Sequence, residues 1–146
     1  MPVTQILVVD DFLPWQQFVR GMLESELDLK IIATATNGSE AVQKATDLQP
    51  DIILMDVHLP VMNGFEATRL IRLRLPASRI LFLSEHRGSD LIQAAFEAGG
   101  LGYVWKSDSY GDLLTGIRLV LRGERFVSRG LIDWLGGPDK QNPNTV

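Results

Sequence analysis

Two adjacent acids, a third acid, a serine and a lysine each stand at the end of a short apolar run. Asp10 and Asp11 follow Ile6-Leu7-Val8-Val9, and Asp56 follows Ile52-Ile53-Leu54-Met55. Ser84 follows Ile80-Leu81-Phe82-Leu83, and Lys106 follows Gly102-Tyr103-Val104-Trp105. Carboxylates brought near one point repel, and each raises its neighbours' pKa unless a cation joins them. Hard oxygen donors of this kind suit Mg2+, which keeps several of its waters. A zinc cage is excluded, because Cys is absent and His58 and His86 are the only histidines. A carboxylate is also a nucleophile that can form an aspartyl phosphate. Phosphoryl transfer then needs a metal to clamp the oxygens and a fixed cation to neutralise developing charge. Lys106 is that cation, Ser84 is a neutral donor, and Asp56 is the candidate acceptor.

Each residue also has an ordinary reading. Asp56 caps a turn, Asp10 and Asp11 complement a helix dipole, and Lys106 is a solvated lysine. What sets those readings aside is position. The apolar runs are short and uniform, as strands buried on both faces of a parallel sheet are, although a buried helix has the same signature. Between them lie segments of helical spacing. Pro14 fits a first helical turn, followed by Trp15, Phe18, Val19, Met22 and Leu23 on one face. Ile31 to Ala35 reads as a further strand, and Asn37 with Glu40 as a capping box for a helix burying Ala41, Val42, Ala45 and Leu48. A helix from about Gly64 to Leu75 turns Phe65, Thr68, Ile71 and Leu75 inward, and Pro76 stops it. Ser89 and Asp90 are expected to cap a helix to Ala98, ended by Gly99-Gly100. The last strong helix runs from about Tyr110 to Arg122, with Leu113, Leu114, Ile117, Val120 and Leu121 on one face. Strict alternation of strand and helix makes a doubly wound α/β sheet with helices on both faces. Its strands' carboxyl ends share one edge, where ligands and chemistry collect.

The 146 residues form one domain with a real core. A hydrophobic share of 45% and a charged share of 22% describe an ordinary soluble protein. A net charge of −4 and a pI near 5.1 disfavour a nucleic-acid surface. No apolar run approaches a membrane span, no basic-then-apolar signal opens the chain, and the lack of Cys suits a reducing compartment. The expected location is the cytoplasm.

Asp10-Asp11, Asp56 followed by L-P-V-M-N-G, Ser84, and G-Y-V-W-K ending at Lys106 resemble the receiver domain of two-component response regulators. The resemblance covers about Gln5 to Arg125. The segment L-L-T-G-I-R-L-V-L-R-G-E-R-F-V-S is similar to the subfamily that usually precedes a helix-turn-helix output domain. It implies a flavodoxin-like sheet of five parallel strands in the order 2-1-3-4-5. It further implies Asp56 as phosphoacceptor, with Mg2+ bound directly by Asp11, more through water by Asp10, and by the backbone carbonyl of His58. Ser84 would hydrogen-bond the phosphoryl group, Lys106 would pair with it, and Tyr103 would change rotamer on activation. A sensor histidine kinase or phosphotransfer protein would donate the phosphoryl group. A downstream protein or output domain would read the face built by the last strand and its flanking helices. The fifth strand is expected at the sheet edge, presenting Tyr103 and Trp105.

Glu85, directly after Ser84, departs from the small or apolar residue usual there and puts a fourth acid near the anionic donor. The expected output domain is also missing. Residues 1–127 read as the receiver, 128–135 as a short helical extension, and 136–146 as a disordered tail. The chain is either a stand-alone receiver or part of a longer DNA-binding transcriptional regulator. A homodimer is left open. A phosphatase with Asp56 as nucleophile wants a second acid two residues on, where His58 stands instead. A flavodoxin-like electron carrier wants a phosphate loop after Val9, where acids stand. The expected chemistry is self-phosphorylation and its reversal, not that of a metabolic enzyme.

Overall fold

The apolar runs become the centre of a sheet, which removes both of their faces from water. In the computed structural model, which describes residues 2–131, the sheet is built from β1 (Thr4–Val9), β2 (Leu29–Ala35), β3 (Ile52–Asp56), β4 (Ile80–Ser84) and β5 (Gly102–Trp105). Ile6, Leu7, Ile52, Ile53, Leu54, Met55, Ile80, Leu81 and Phe82 are all 0% exposed. Burying one such side chain is worth about 1.5–3 kcal/mol, so this core dominates the stability of the fold. All pairings are parallel.

Five helices return the chain between strands: α1 (Leu13–Leu23), α2 (Gly38–Leu48), α3 (Gly64–Arg74), α4 (Ser89–Glu97) and α5 (Ser109–Leu121), the last entered through a short 3-10 turn, Lys106–Asp108. Alternation along the strands sorts the core into two layers. Ile6, Val8, Leu54, Leu81 and Val104 pack with Val19 and Leu23 of α1 and Leu113, Ile117 and Val120 of α5. Leu7, Val9, Ile53, Met55, Phe82 and Tyr103 pack with Ala41, Val42 and Ala45 of α2, Ala67 and Ile71 of α3, and Ile92 and Ala95 of α4.

The observed order is β2-β1-β3-β4-β5-β6, one strand more than the sequence suggests. The sixth, β6 (Phe126–Val127), pairs Phe126 with Gly102 and Val127 with Tyr103. It escapes a sequence reading because two residues show no alternation. Its presence corrects the expectation that β5 is an edge strand. Two cap assignments also change. Asn37 does accept the Glu40 N–H at 2.8 Å, but Glu40 accepts the N–H of Thr36 rather than that of Asn37. The complete capping box stands instead on α3, where Asn63 and Glu66 bond each other's N–H. At α4 the cap position is Gly88, and no side chain bonds the helix start, so neither Ser89 nor Asp90 caps it.

Two backbone positions shape the loop after β3. A Cβ on Gly64 would lie 2.1 Å from the carbonyl oxygen of Asp56, so only glycine lets α3 begin against the end of β3. Val61 sits at φ 71, left-handed for a β-branched residue, and is 83% exposed. The expected extra turn after Ser128 begins as helix at 129–131. The rest of it, and the expected disordered tail, lie outside the described residues.

Candidate functional site

The switch in strand order between β1 and β3 opens a crevice at the carboxyl ends of the sheet. A cleft of about 350 Å³ lies there, lined by Asp10, Asp11, Phe12, Asp56, His58, Glu85, His86 and Lys106. Among the described residues, Asp10, Asp11 and Asp56 offer carboxylate oxygens that all lie within 4.8 Å of one another. Asp10 and Asp56 are buried and Asp11 is exposed.

Each acid is held by its local backbone. Asp10 accepts the Phe12 N–H at 2.9 Å, fixing the turn into α1. The buried amide of Gln16 donates to the carbonyls of Asp10 (2.7 Å) and Ala35 (3.3 Å), tying the ends of β1 and β2 together. Nothing in the sequence singled out Gln16, since a glutamine on a helix is ordinarily solvated. Lys106 donates to Asp10 Oδ2 at 2.6 Å and lies 3.9 Å from Asp56 Oδ2. Its ammonium also sits 4.7 Å from the centre of the Trp15 ring, a cation–π contact. In this resting arrangement the lysine neutralises Asp10 first and Asp56 second.

Asp56 feels that difference. Burial first, then the charge of Asp10, raise its pKa to about 7, against the smaller opposing pull of Lys106. A carboxyl so perturbed in a cleft marks a functional site on physical grounds.

Ser84 and Tyr103 lie behind the cleft rather than in it. Ser84 is fully buried, and its Oγ accepts the His86 N–H at 3.0 Å. Tyr103 is also 0% exposed, and its hydroxyl donates to the His86 carbonyl at 2.7 Å. Burial raises its pKa. The expectation that Tyr103 lies on an exposed edge is therefore corrected: it points inward and grips the loop after β4. Trp105, half-buried, holds the same loop, donating its Nε1–H to the Glu85 carbonyl at 3.1 Å while Arg87 stacks on its ring. His58 and His86 are exposed, and their rings meet edge to face at 4.6 Å across the cleft mouth.

Residues 6–118 match the response regulator receiver domain family model, and the chain belongs to that family. It is 39% identical over 119 residues to the transcriptional regulatory protein LnrK of Bacillus subtilis, covering 82% of this chain and 54% of that protein. It is also 39% identical over 141 residues to a protein-glutamate methylesterase/protein-glutamine glutaminase of Methanosarcina acetivorans, covering 96% of this chain and 37% of that protein. A solved LuxR-family two-component response regulator from Aurantimonas superposes with a TM-score of 0.88 at 33% identity, covering 99% of both chains. The chain spans about half the length of the transcriptional regulators it matches, LnrK, LiaR and DegU. Receiver domains work with histidine kinases and output domains, and the family generally binds Mg2+ at an acidic pocket.

One expectation is overturned. Enzyme chemistry was not expected beyond phosphoryl uptake and loss, yet four matched proteins bear the name of a methylesterase/glutaminase. The part matched in them is the receiver, so a receiver of this sequence does not argue against an enzyme. Among the described residues no helix is long and apolar enough to cross a membrane.

Proposed function

We propose that this chain is a phosphorylation-controlled signalling switch in which Asp56 takes the phosphoryl group from a partner histidine kinase or phosphotransfer protein. The chief support is the convergence of Asp10, Asp11 and Asp56 within 4.8 Å, with Lys106 3.9 Å from Asp56. The donors are all oxygens and fit Mg2+. Asp11 would hold the ion directly, Asp10 through water, with Asp56 and the His58 backbone carbonyl completing the set. Bound there, Mg2+ would neutralise the acids and the phosphoryl oxygens.

The chain's own groups do the remainder. An Asp56 carboxylate oxygen attacks phosphorus, the phosphorus–nitrogen bond of the phosphohistidine donor breaks, and the leaving imidazole takes up a proton. Lys106 turns from Asp10 toward the new negative charge, and Ser84 turns so that its hydroxyl donates to a phosphoryl oxygen, taking its Oγ away from the His86 N–H. Releasing that N–H loosens the loop after β4, and Tyr103 changes rotamer as its carbonyl partner moves. Such a local charge event biasing a bistable loop is a recurrent switch design. Intact-mass measurement after acetyl phosphate and Mg2+ treatment should show one phosphoryl adduct, lost in Asp56→Asn and on EDTA addition. Undiminished labelling of Asp56→Asn would sink the assignment.

A second reading places this receiver in a longer transcriptional regulator. It is favoured by the names of LnrK and LiaR and by the half-length match to them. The mass of the protein isolated from its own cells distinguishes the two, since a helix-turn-helix domain adds several further helices.

A further inference from the structure

The last described stretch lies across the surface bounded by α4, β5 and α5, and every part of it is anchored. Phe126 N–H donates to the Leu101 carbonyl and Ser128 N–H to the Tyr103 carbonyl, both at 3.0 Å. The Arg125 guanidinium stacks on Phe96 of α4 at 4.7 Å. The Phe126 ring lies so close to α5 that a Cβ on Gly116 would meet it at 3.0 Å. Asp112 and Asp108 accept the N–H groups of Arg129 (2.9 Å) and Gly130 (3.0 Å), capping the turn that begins there. Leu131 is 0% exposed and joins the core layer that holds Tyr103, Ile92 and Ala95.

Trp105 links this segment to the cleft. Its side-chain Nε1–H bonds the Glu85 carbonyl on the loop after β4, and its backbone N–H donates to Ser128 Oγ at 2.9 Å. One residue therefore touches the phosphate-facing loop with its ring and the chain's departing segment with its backbone.

We propose that residues 126–131 are a ligand of the α4–β5–α5 surface carried by the chain itself, and that Trp105 sets how firmly they are held. The surface is a parallel strand-addition site that is already filled, so a partner binding there must displace this segment or recognise it in place. When the loop after β4 moves, Trp105 loses its Glu85 contact, β5 shifts at its end, and Ser128 is released. The part of this that concerns phosphorylation rests on the acceptor role proposed for Asp56; the docking of the segment does not.

Hydrogen exchange on the full chain tests both parts. The amides of Phe126, Ser128, Arg129 and Gly130 should be protected at rest. Trp105→Phe keeps the packing but removes the indole donor, and should speed their exchange about fivefold, the worth of one hydrogen bond. Adding beryllofluoride with Mg2+ to the wild type should do the same, and should add little in Trp105→Phe. Unchanged exchange of these four amides in Trp105→Phe would overturn the proposal. So would unchanged exchange with beryllofluoride when the amides around Asp56 respond to it. If beryllofluoride leaves the Asp56 region unmoved, the acceptor reading falls, and Trp105→Phe alone decides whether Trp105 holds the segment.

Discussion

The two ends of the sheet carry clefts that differ in what their charged groups are doing. At the amino ends of the strands a cleft of about 680 Å³ runs between Val3, Pro50, Asp51, Leu75, Arg79 and Leu121. At the carboxyl ends the acid cleft is about half that size. In the larger one the charged side chains are occupied in structural bonds: Asp51 accepts the Gln5 N–H, Arg79 bonds the Leu121 carbonyl, and Arg74 donates to the Thr46 hydroxyl. In the smaller one four acids stand beside one lysine, which pairs with Asp10 and Asp56, and Asp56 has a pKa of about 7. Volume alone would have chosen the wrong end. Uncompensated charge, built where strand ends converge, is what marks the carboxyl end as the candidate site.

The largest effect expected from breaking this contrast comes from Asp56. Its folded-state pKa lies above the ordinary 3.8, so in the folded state it holds a proton that the unfolded state releases. Its destabilising effect is absent below about pH 4, builds between about pH 4 and 7, and is complete above that. The difference between 3.8 and about 7 corresponds to on the order of 4 kcal/mol. Asp56→Asn should therefore stabilise the metal-free protein by that order at pH 8 and change little at pH 4, as urea unfolding at the two pH values will show. Equal gains at both pH values would mean that Asp56 is not strained by its surroundings.

Mg2+ sharpens the contrast next. Added at pH 8 it should raise the melting temperature of the wild type by several degrees, and by less in Asp56→Asn. Arg79→Ala at the other end should cost about 1 kcal/mol through its lost carbonyl bond and leave acetyl phosphate labelling unchanged. A labelling defect there would show that the two ends are coupled. The smallest effect is expected at Glu85. Its carboxylate lines the acid cleft but is exposed, so solvent and salt weaken its repulsion of an anionic donor. Glu85→Ala should speed labelling by about two- to threefold at low ionic strength and not at high salt. Equal rates for the two proteins at low salt would leave Glu85 a bystander.

Much of this was legible in the sequence because buried parallel strands leave a signal that few other structures share. Ile6–Val9, Ile52–Met55 and Ile80–Leu83 are uniformly apolar and end in polar residues, so strands and cleft residues were read together. Asp10, Asp11, Asp56, His58 and Lys106 do line one cleft. What escaped depends on contacts between distant segments. Gln16 is buried only because the carbonyls of Asp10 and Ala35 meet above α1. Arg118 looks like surface charge on α5, yet it grips Asp28 at 2.5 Å and Glu26 at 3.0 Å beyond α1. The inward turn of Tyr103 and the pairing of Phe126–Val127 follow from where the loop after β4 and the end of α5 come to rest, and no local pattern encodes either.

Val61 has a consequence for how this protein can be altered. A valine held at φ 71 stores on the order of 1–2 kcal/mol of strain, and it lies fully in the open, where replacement meets no steric resistance. A laboratory selection for heat resistance alone would reach Val61→Gly or Val61→Asn early, because either residue relieves the conformation without disturbing the core. The same change would free the backbone between His58, which lines the acid cleft, and Gly64, at the start of α3. A thermostable variant should therefore be checked at Val61 first, with acetyl phosphate labelling as the readout.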